Sequence, residues 1–189
     1  MKNKGTLYIF SGPSGVGKGT ICRQLVAKRN DLSVSVSATT RKPREEDTEG
    51  VTYYFKTKEQ FEAMIDGDKF LEWAVYNGNY YGTPVDPVEE KLDRGEDVIL
   101  EIEVQGALKV MEKRPDAVSV FIAPPDEEAL YERLRGRGSE TEEQIGNRVN
   151  AAKAELMQKD RYDYIVVNDL LEDAVCEIEN IMKNQKEKM

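Results

Sequence analysis

The chain has 189 residues, 39% hydrophobic and 33% charged, and its 27 basic and 36 acidic side chains leave a net charge of −9. That length fits one compact domain, or one domain carrying inserts, with enough apolar content for a sizeable core. The acidic balance argues against broad neutralisation of nucleic-acid phosphates, the absence of histidine removes imidazole acid–base chemistry, the serine triad and most zinc sites, and no stretch approaches the ~20 apolar residues of a membrane-spanning helix.

Cys22 and Cys176 lie on separate predicted helices without metal-ligand spacing, so they read as reduced thiols. No signal peptide precedes the first predicted strand. A cytoplasmic location is expected from both.

The apolar run Leu7–Phe10 predicts a buried strand. Gly12, Pro13, Ser14, Gly15, Val16, Gly17, Lys18, Gly19 and Thr20 follow it, and Ile21, Leu25 and Val26 then carry helical spacing. Strand, glycine loop and helix is the context of a phosphate-binding P-loop. The glycines let backbone N–H groups turn inward, and the helix N-terminus adds to the anion cradle. Lys18 supplies a charge that reaches the β- and γ-phosphates of a nucleotide. Gly19 stands where the usual pattern has Ser or Thr, so a magnesium link falls to Thr20, the next hydroxyl.

Leu32–Ser37 alternates and predicts a second strand. Ser37-Ala38-Thr39-Thr40-Arg41-Lys42-Pro43-Arg44 comes next, ahead of the acidic Glu45-Glu46-Asp47. Two arginines three apart beside hydroxyls suit a phosphate, because the planar guanidinium binds oxygens in pairs. Taken alone, the stretch also reads as a solvated loop. Gly50–Phe55 predicts a short strand, and Thr57–Gln60 a capping box that opens a helix ended by Gly67. Phe70–Tyr76 and Asn79–Pro84 flank Asn77-Gly78, a hairpin signal. These short aromatic strands predict a small sheet inserted into the core. Its tyrosines read as half-buried strand residues or as phosphate-orienting phenols. Glu72 can accept hydrogen bonds from a base edge.

Asp86, Pro87 and Glu89 predict a helix start with Asp86 as N-cap. Asp97–Val104 predicts a buried strand with Glu101 and Glu103 on one face near its end, open to a metal or to a substrate base. A helix from about Gln105 to Pro115, a strand Val118–Ile122 and a helix through Leu130 and Leu134 follow. Arg133, Arg135 and Arg137 surround Gly136 and Gly138, and Arg148 lies on the next helix, opened by a second capping box at Thr141–Gln144. Arginines beside a glycine hinge read as a mobile lid or as a charged surface helix. Tyr164–Asn168 predicts the fifth core strand, Leu171–Ile181 the last helix, and Lys183–Met189 a frayed polar tail.

Five strands alternating with helices predict an α/β fold, a P-loop core with a five-stranded parallel sheet flanked by helices. The expected organisation is one domain over 1–189, with core 1–36 and 92–189, an insert over 37–91 and a lid over 126–150.

The P-loop, Ser37–Arg44, Phe70–Ala74, Gly78–Thr83, Leu100–Gly106 and Arg135–Glu142 together resemble the guanylate kinase family, nearly end to end. The resemblance implies a small mixed-sheet GMP-binding insert and a helical lid. It implies phosphoryl transfer from ATP, with Mg2+, to GMP or dGMP, and no nucleic-acid or membrane partner, in a monomer or homodimer. It assigns Arg41, Arg44, Tyr53 and Tyr81 to the GMP phosphate, and Ser37, Glu72, Thr83 and Glu103 to guanine. Lys18 and the loop amides fall to the ATP phosphates, Arg133, Arg137 and Arg148 to the lid, Asn168 to the adenine surroundings, and Glu101 with Thr20 to a water-mediated magnesium link. Glu101 and Glu103 depart from the family in standing where aspartates are common. The alternatives are a kinase for another nucleoside monophosphate, disfavoured by Glu72 and the tyrosine-rich insert, and a phosphopeptide-binding module of the same fold, disfavoured by Lys18, Arg137 and Arg148.

Overall fold

The computed structural model describes residues 4–135 and 142–188. In chain order the first half contains β1 (Leu7–Ser11), α1 (Lys18–Lys28), β2 (Leu32–Val34), β3 (Ala38–Thr39), β4 (Tyr54–Phe55), α2 (Lys58–Asp66), β5 (Phe70–Tyr76), β6 (Asn79–Pro84) and α3 (Val85–Asp93). The second half contains β7 (Asp97–Glu101), α4 (Val104–Lys113), β8 (Val118–Ala123), α5 (Glu127–Arg135), α6 (Glu142–Leu156), β9 (Tyr164–Val167) and α7 (Leu171–Lys188).

Five strands form one parallel sheet in the order β2-β7-β1-β8-β9. β1 is buried along its whole length, as expected of a strand covered on both faces. A second sheet has the order β4-β3-β6-β5 and is mixed: β3 runs parallel to β4 and antiparallel to β6, and β5 and β6 form a hairpin. Asn77 and Gly78 turn that hairpin with φ of 47° and 76°, the left-handed pair a two-residue turn demands.

The chain divides into two compact units. The first comprises Met1–Tyr8, Asp31–Leu100 and Gln105–Ala117. Within it, Ala38, Phe61 and Phe70 form a buried cluster under the second sheet. Phe61 stacks on Phe70 at 4.3 Å and on Tyr80 at 5.1 Å. Thr57 and Gln60 cap α2 reciprocally, as their spacing predicts. The second unit comprises Ile9–Asn30, Glu101–Val104 and Val118–Met189. Here Leu130, Leu134, Ile145 and Ala152 join α5 to α6, and Lys28 on α1 pairs with Glu179 on α7. Among the described residues, no helix is long and apolar enough to cross a membrane.

Several predicted elements end elsewhere. Leu32–Ser37 is not one strand: β2 stops at Val34, Ser35 N–H makes one more bond to Ile99 O at 2.9 Å, and Ala38–Thr39 pairs in the other sheet. Alternation shows a strand but not which partner it meets. Of Gly50–Phe55 only Tyr54–Phe55 is strand; Thr52 N–H closes a turn on Thr48 O at 2.9 Å. Asp86 is not an N-cap. β6 runs directly into α3, Pro84 takes the cap position, and Asp86 lies in the first turn, paired with Lys69. β7 ends at Glu101 and α4 begins at Val104, so Glu103 sits on a two-residue link where the alternation rule has no hold. The predicted frayed tail continues α7 to Lys188, where Gln185 Nε2 donates to the Tyr164 hydroxyl at 2.8 Å.

Candidate functional site

In the second unit the P-loop leaves β1 at Gly12. A side chain there would meet Ile122 O at 2.1 Å, and φ is 141°, so the position accepts only glycine. Gly15 and Gly17 have φ of 87° and 97°. Gly17 caps α1, and Thr20 N–H and Ile21 N–H both reach its carbonyl at 3.1 Å. The start of α1 thus faces the loop with its positive dipole end. Lys18 Nζ bridges the loop mouth, donating to Gly12 O at 2.6 Å and Pro13 O at 3.0 Å.

Ser14, Gly15, Gly17, Lys18, Gly19, Thr20, Arg23 and Glu101 line one open pocket of about 260 Å³. The absent side chain of Gly19 matters here: a Cβ would stand 3.3 Å from Glu101 Oε1. Thr20 Oγ1 accepts from Arg23 Nη2 at 3.0 Å. Among the described residues no group of three or more acids or cysteines is placed to hold a metal ion. A hydroxyl and one carboxylate beside a phosphate cradle nevertheless fit Mg2+, which binds few protein oxygens and completes its shell with water and substrate phosphates.

Two further side chains brace the loop. Asn168, at the end of β9, is buried and donates through Nδ2 to Val16 O at 2.8 Å. It fills the space that a Gly17 side chain would need, its Nδ2 lying 2.6 Å from that Cβ position. Arg148, on α6, donates to Ser14 Oγ at 3.0 Å. Arg133, on α5, reaches Asp169 O at 3.3 Å. Arg137 lies outside the described residues, as do Gly136, Gly138 and Thr141. Glu103 acts on Glu155 and Tyr162. Glu155, near the end of α6, has its carboxyl pushed above the ordinary range, first by burial and further by Glu103, against the opposing pull of Lys18.

In the first unit the second sheet carries two clusters. The Arg41 guanidinium stands 5.3 Å above the Tyr53 ring, and Tyr53 and Tyr81 meet edge to face at 6.0 Å. Arg41 Nη2 pairs with Asp47 Oδ2 at 2.9 Å, and Arg44 N–H donates to the same oxygen at 2.7 Å. Arg41, Tyr53 and Tyr81 thus meet, and the Arg44 backbone joins them through Asp47, with Arg44 itself exposed. In the other cluster Thr83 Oγ1 donates to Glu72 Oε1 at 2.7 Å, with Glu72 only 9% exposed. Gly106, near the start of α4, lies against Glu72: a Cβ there would be 3.2 Å from Oε2. The half-buried Ser37 leads into β3, and its carbonyl accepts from Tyr54 N–H at 2.9 Å.

Sequence reasoning missed Asp47, Gly106, Glu155 and the loop-bracing contact of Asn168. Gly106 falls within a recognisable motif but its spacing names no role. For the others no local signal exists, since each meets its partner through a turn or across the fold.

The second unit thus holds a phosphate cradle with its lysine, and the first holds a buried carboxylate and a separate cluster of arginine and tyrosine side chains. A family model described as guanylate kinase matches residues 4–185. The chain belongs to the guanylate kinase family. It is 54% identical over 181 residues to a guanylate kinase of Halalkalibacterium halodurans, covering 96% of this chain and 89% of that one. A guanylate kinase of Bacillus subtilis is 52% identical over 184 residues, with 96% and 90% covered. A crystal structure of guanylate kinase from Anaplasma phagocytophilum superposes with a TM-score of 0.74 at 34% identity, covering 97% of this chain and 87% of that chain. The fold of the family, a P-loop core with a parallel sheet and a second mixed sheet, is the fold described above.

Proposed function

We infer that the protein is a guanylate kinase, transferring the γ-phosphoryl group of ATP to GMP or dGMP, reversibly, to give ADP and GDP. Membership of the family along nearly the whole chain supports the reaction. The observation that carries it is the intact phosphate cradle with Lys18 at its mouth, which a purely phosphopeptide-binding module has no use for.

The mechanism follows from the residues in each unit. Loop amides and the N-terminus of α1 hold the ATP phosphates. Lys18 exchanges its two loop carbonyls for phosphate oxygens. Thr20 and Glu101 are the residues that would hold Mg2+, which would supply neutralisation of the phosphate charge. Arg133, Arg137 and Arg148 neutralise the transferring group. Arg41, Arg44, Tyr53 and Tyr81 hold the GMP phosphate by charge and hydroxyl donation. Glu72, its acid fixed by Thr83, accepts from guanine N1–H and the 2-amino group, which adenine does not offer in that arrangement; Ser37 adds a further base contact. Asn168 acts by bracing the loop near the adenine. No general base of unusual pKa is required, because phosphoryl transfer depends on alignment and charge.

The test is ADP release in a coupled assay with ATP and magnesium fixed and GMP, AMP, CMP and UMP tried in turn. Release with GMP alone is the expected result. Equal release with AMP would remove Glu72 from base selection. No release with any acceptor, from folded protein, would overturn the kinase reading.

A further inference from the structure

Asp47 is in none of the roles above, yet it organises the arginine face of the first unit. Its side chain is only 7% exposed in a loop whose neighbours Glu45, Glu46 and Thr48 face solvent. One oxygen, Oδ2, takes both the Arg41 guanidinium at 2.9 Å and the Arg44 backbone N–H at 2.7 Å. The turn is closed from the other side, Asp47 N–H reaching Arg44 O at 3.2 Å. Arg41 is held at further points: Nη1 donates to Lys42 O at 3.0 Å, its amide bonds Thr39 Oγ1 at 3.1 Å, and its guanidinium lies over Tyr53 and Phe55. The Arg44 amide, ahead of the Arg41 charge, holds the Asp47 carboxyl below the ordinary range, against the opposing effect of desolvation. The carboxylate is therefore ionised at neutral pH.

An arginine on a flexible stem loses rotamer freedom when it captures a phosphate. A carboxylate that already fixes its guanidinium removes part of that loss beforehand, and one that also ties the Arg44 backbone sets the spacing of the two cations. We propose that Asp47 is a positioning residue for the acceptor-phosphate site, presetting Arg41 through the ion pair and Arg44 through its amide. The proposal rests on the assignment of those arginines to the GMP phosphate. It runs against the simpler expectation that an acid beside two phosphate-binding arginines weakens anion binding.

The test compares wild type with Asp47→Ala, Asp47→Asn and Asp47→Glu. GMP is varied at saturating ATP, and ATP at saturating GMP, with unfolding midpoints and inhibition by guanosine measured alongside. Asp47→Ala should raise KM for GMP on the order of tenfold to a hundredfold, the scale of a misplaced binding group. KM for ATP and inhibition by guanosine, which lacks the phosphate, should change less than about twofold. Asp47→Asn keeps an acceptor for the Arg44 amide but loses the charge, so it should fall between; Asp47→Glu should recover most of the loss. Asn is nearly isosteric and carries the test if the alanine variant does not fold. An unchanged or lowered KM for GMP would overturn the proposal. So would an equal rise for both substrates, or equal weakening of guanosine. Failure of wild type to use GMP would instead overturn the functional reading, so the two failures are distinguishable.

Discussion

Thr83 and Glu72 face each other across the β5–β6 hairpin, and the Thr83 hydroxyl donates a hydrogen bond to the Glu72 carboxylate at 2.7 Å. The threonine therefore has its donor committed, and the acid is held as an acceptor in a place nearly closed to water. A buried acid so oriented selects a ligand edge that presents N–H groups.

Glu72→Gln keeps the volume and replaces one acceptor oxygen by a donor. A hydrogen bond to a charged group is worth about 1.5–3 kcal/mol, so KM for GMP should rise roughly tenfold to a hundredfold. KM for ATP should hold. Steady-state kinetics with each substrate varied checks both.

Gly106→Ala tests the other side of the same acid. Alanine is favoured over glycine by about 0.8–1 kcal/mol in a helix interior and by less in the first turn, where Gly106 stands. The new methyl, however, stands 3.2 Å from Glu72 Oε2 and must push the carboxylate. The expected result is an unfolding midpoint that holds or rises together with a higher KM for GMP. A fall in both stability and GMP affinity would place the strain in the backbone instead.

Asn168→Ala removes the donor to the buried Val16 carbonyl. Leaving such a group unpaired costs about 1–3 kcal/mol. Denaturant unfolding should show that loss, and KM for ATP should rise while KM for GMP does not. Asn168→Asp should be worse, because it sets a carboxylate against a carbonyl oxygen.

Glu155 gives a pH signature. Its carboxyl is raised in the folded chain, chiefly by burial, so ionisation is disfavoured there relative to the unfolded chain. Below the ordinary glutamate range the group is protonated in both states and imposes no penalty; the penalty grows as pH rises through the raised value. Glu155→Gln should therefore raise the unfolding midpoint at neutral pH and leave it unchanged in acid. Midpoints measured across that window read the difference directly.

Most of the core was legible because it is written in local patterns. The apolar run of β1, the Thr57–Gln60 capping box and the Asn77-Gly78 turn each state their conformation within a few residues, and each is present. Boundaries were less legible. Asp86 carries every mark of an N-cap, but the preceding strand runs to Pro84 and takes the position first. Glu101 and Glu103 satisfy a strand's alternation, but α4 starts at Val104 and leaves Glu103 on the link. In both cases the competing element lies just beyond the window in which the signal is read.

For the candidate site the division is the same. Residue identity by itself determined the phosphate cradle, since positive-φ glycines, a lysine and a helix start are consecutive in the chain and act through their own backbone. The acid and the arginines of the second sheet were also nameable from type and motif. Only the tertiary structure decided what holds them: Asn168 on Val16, 152 positions away, Gly106 beside Glu72, and Asp47 under Arg41. Those contacts depend on distances between side chains brought together by turns and sheet pairing, and no local propensity encodes them.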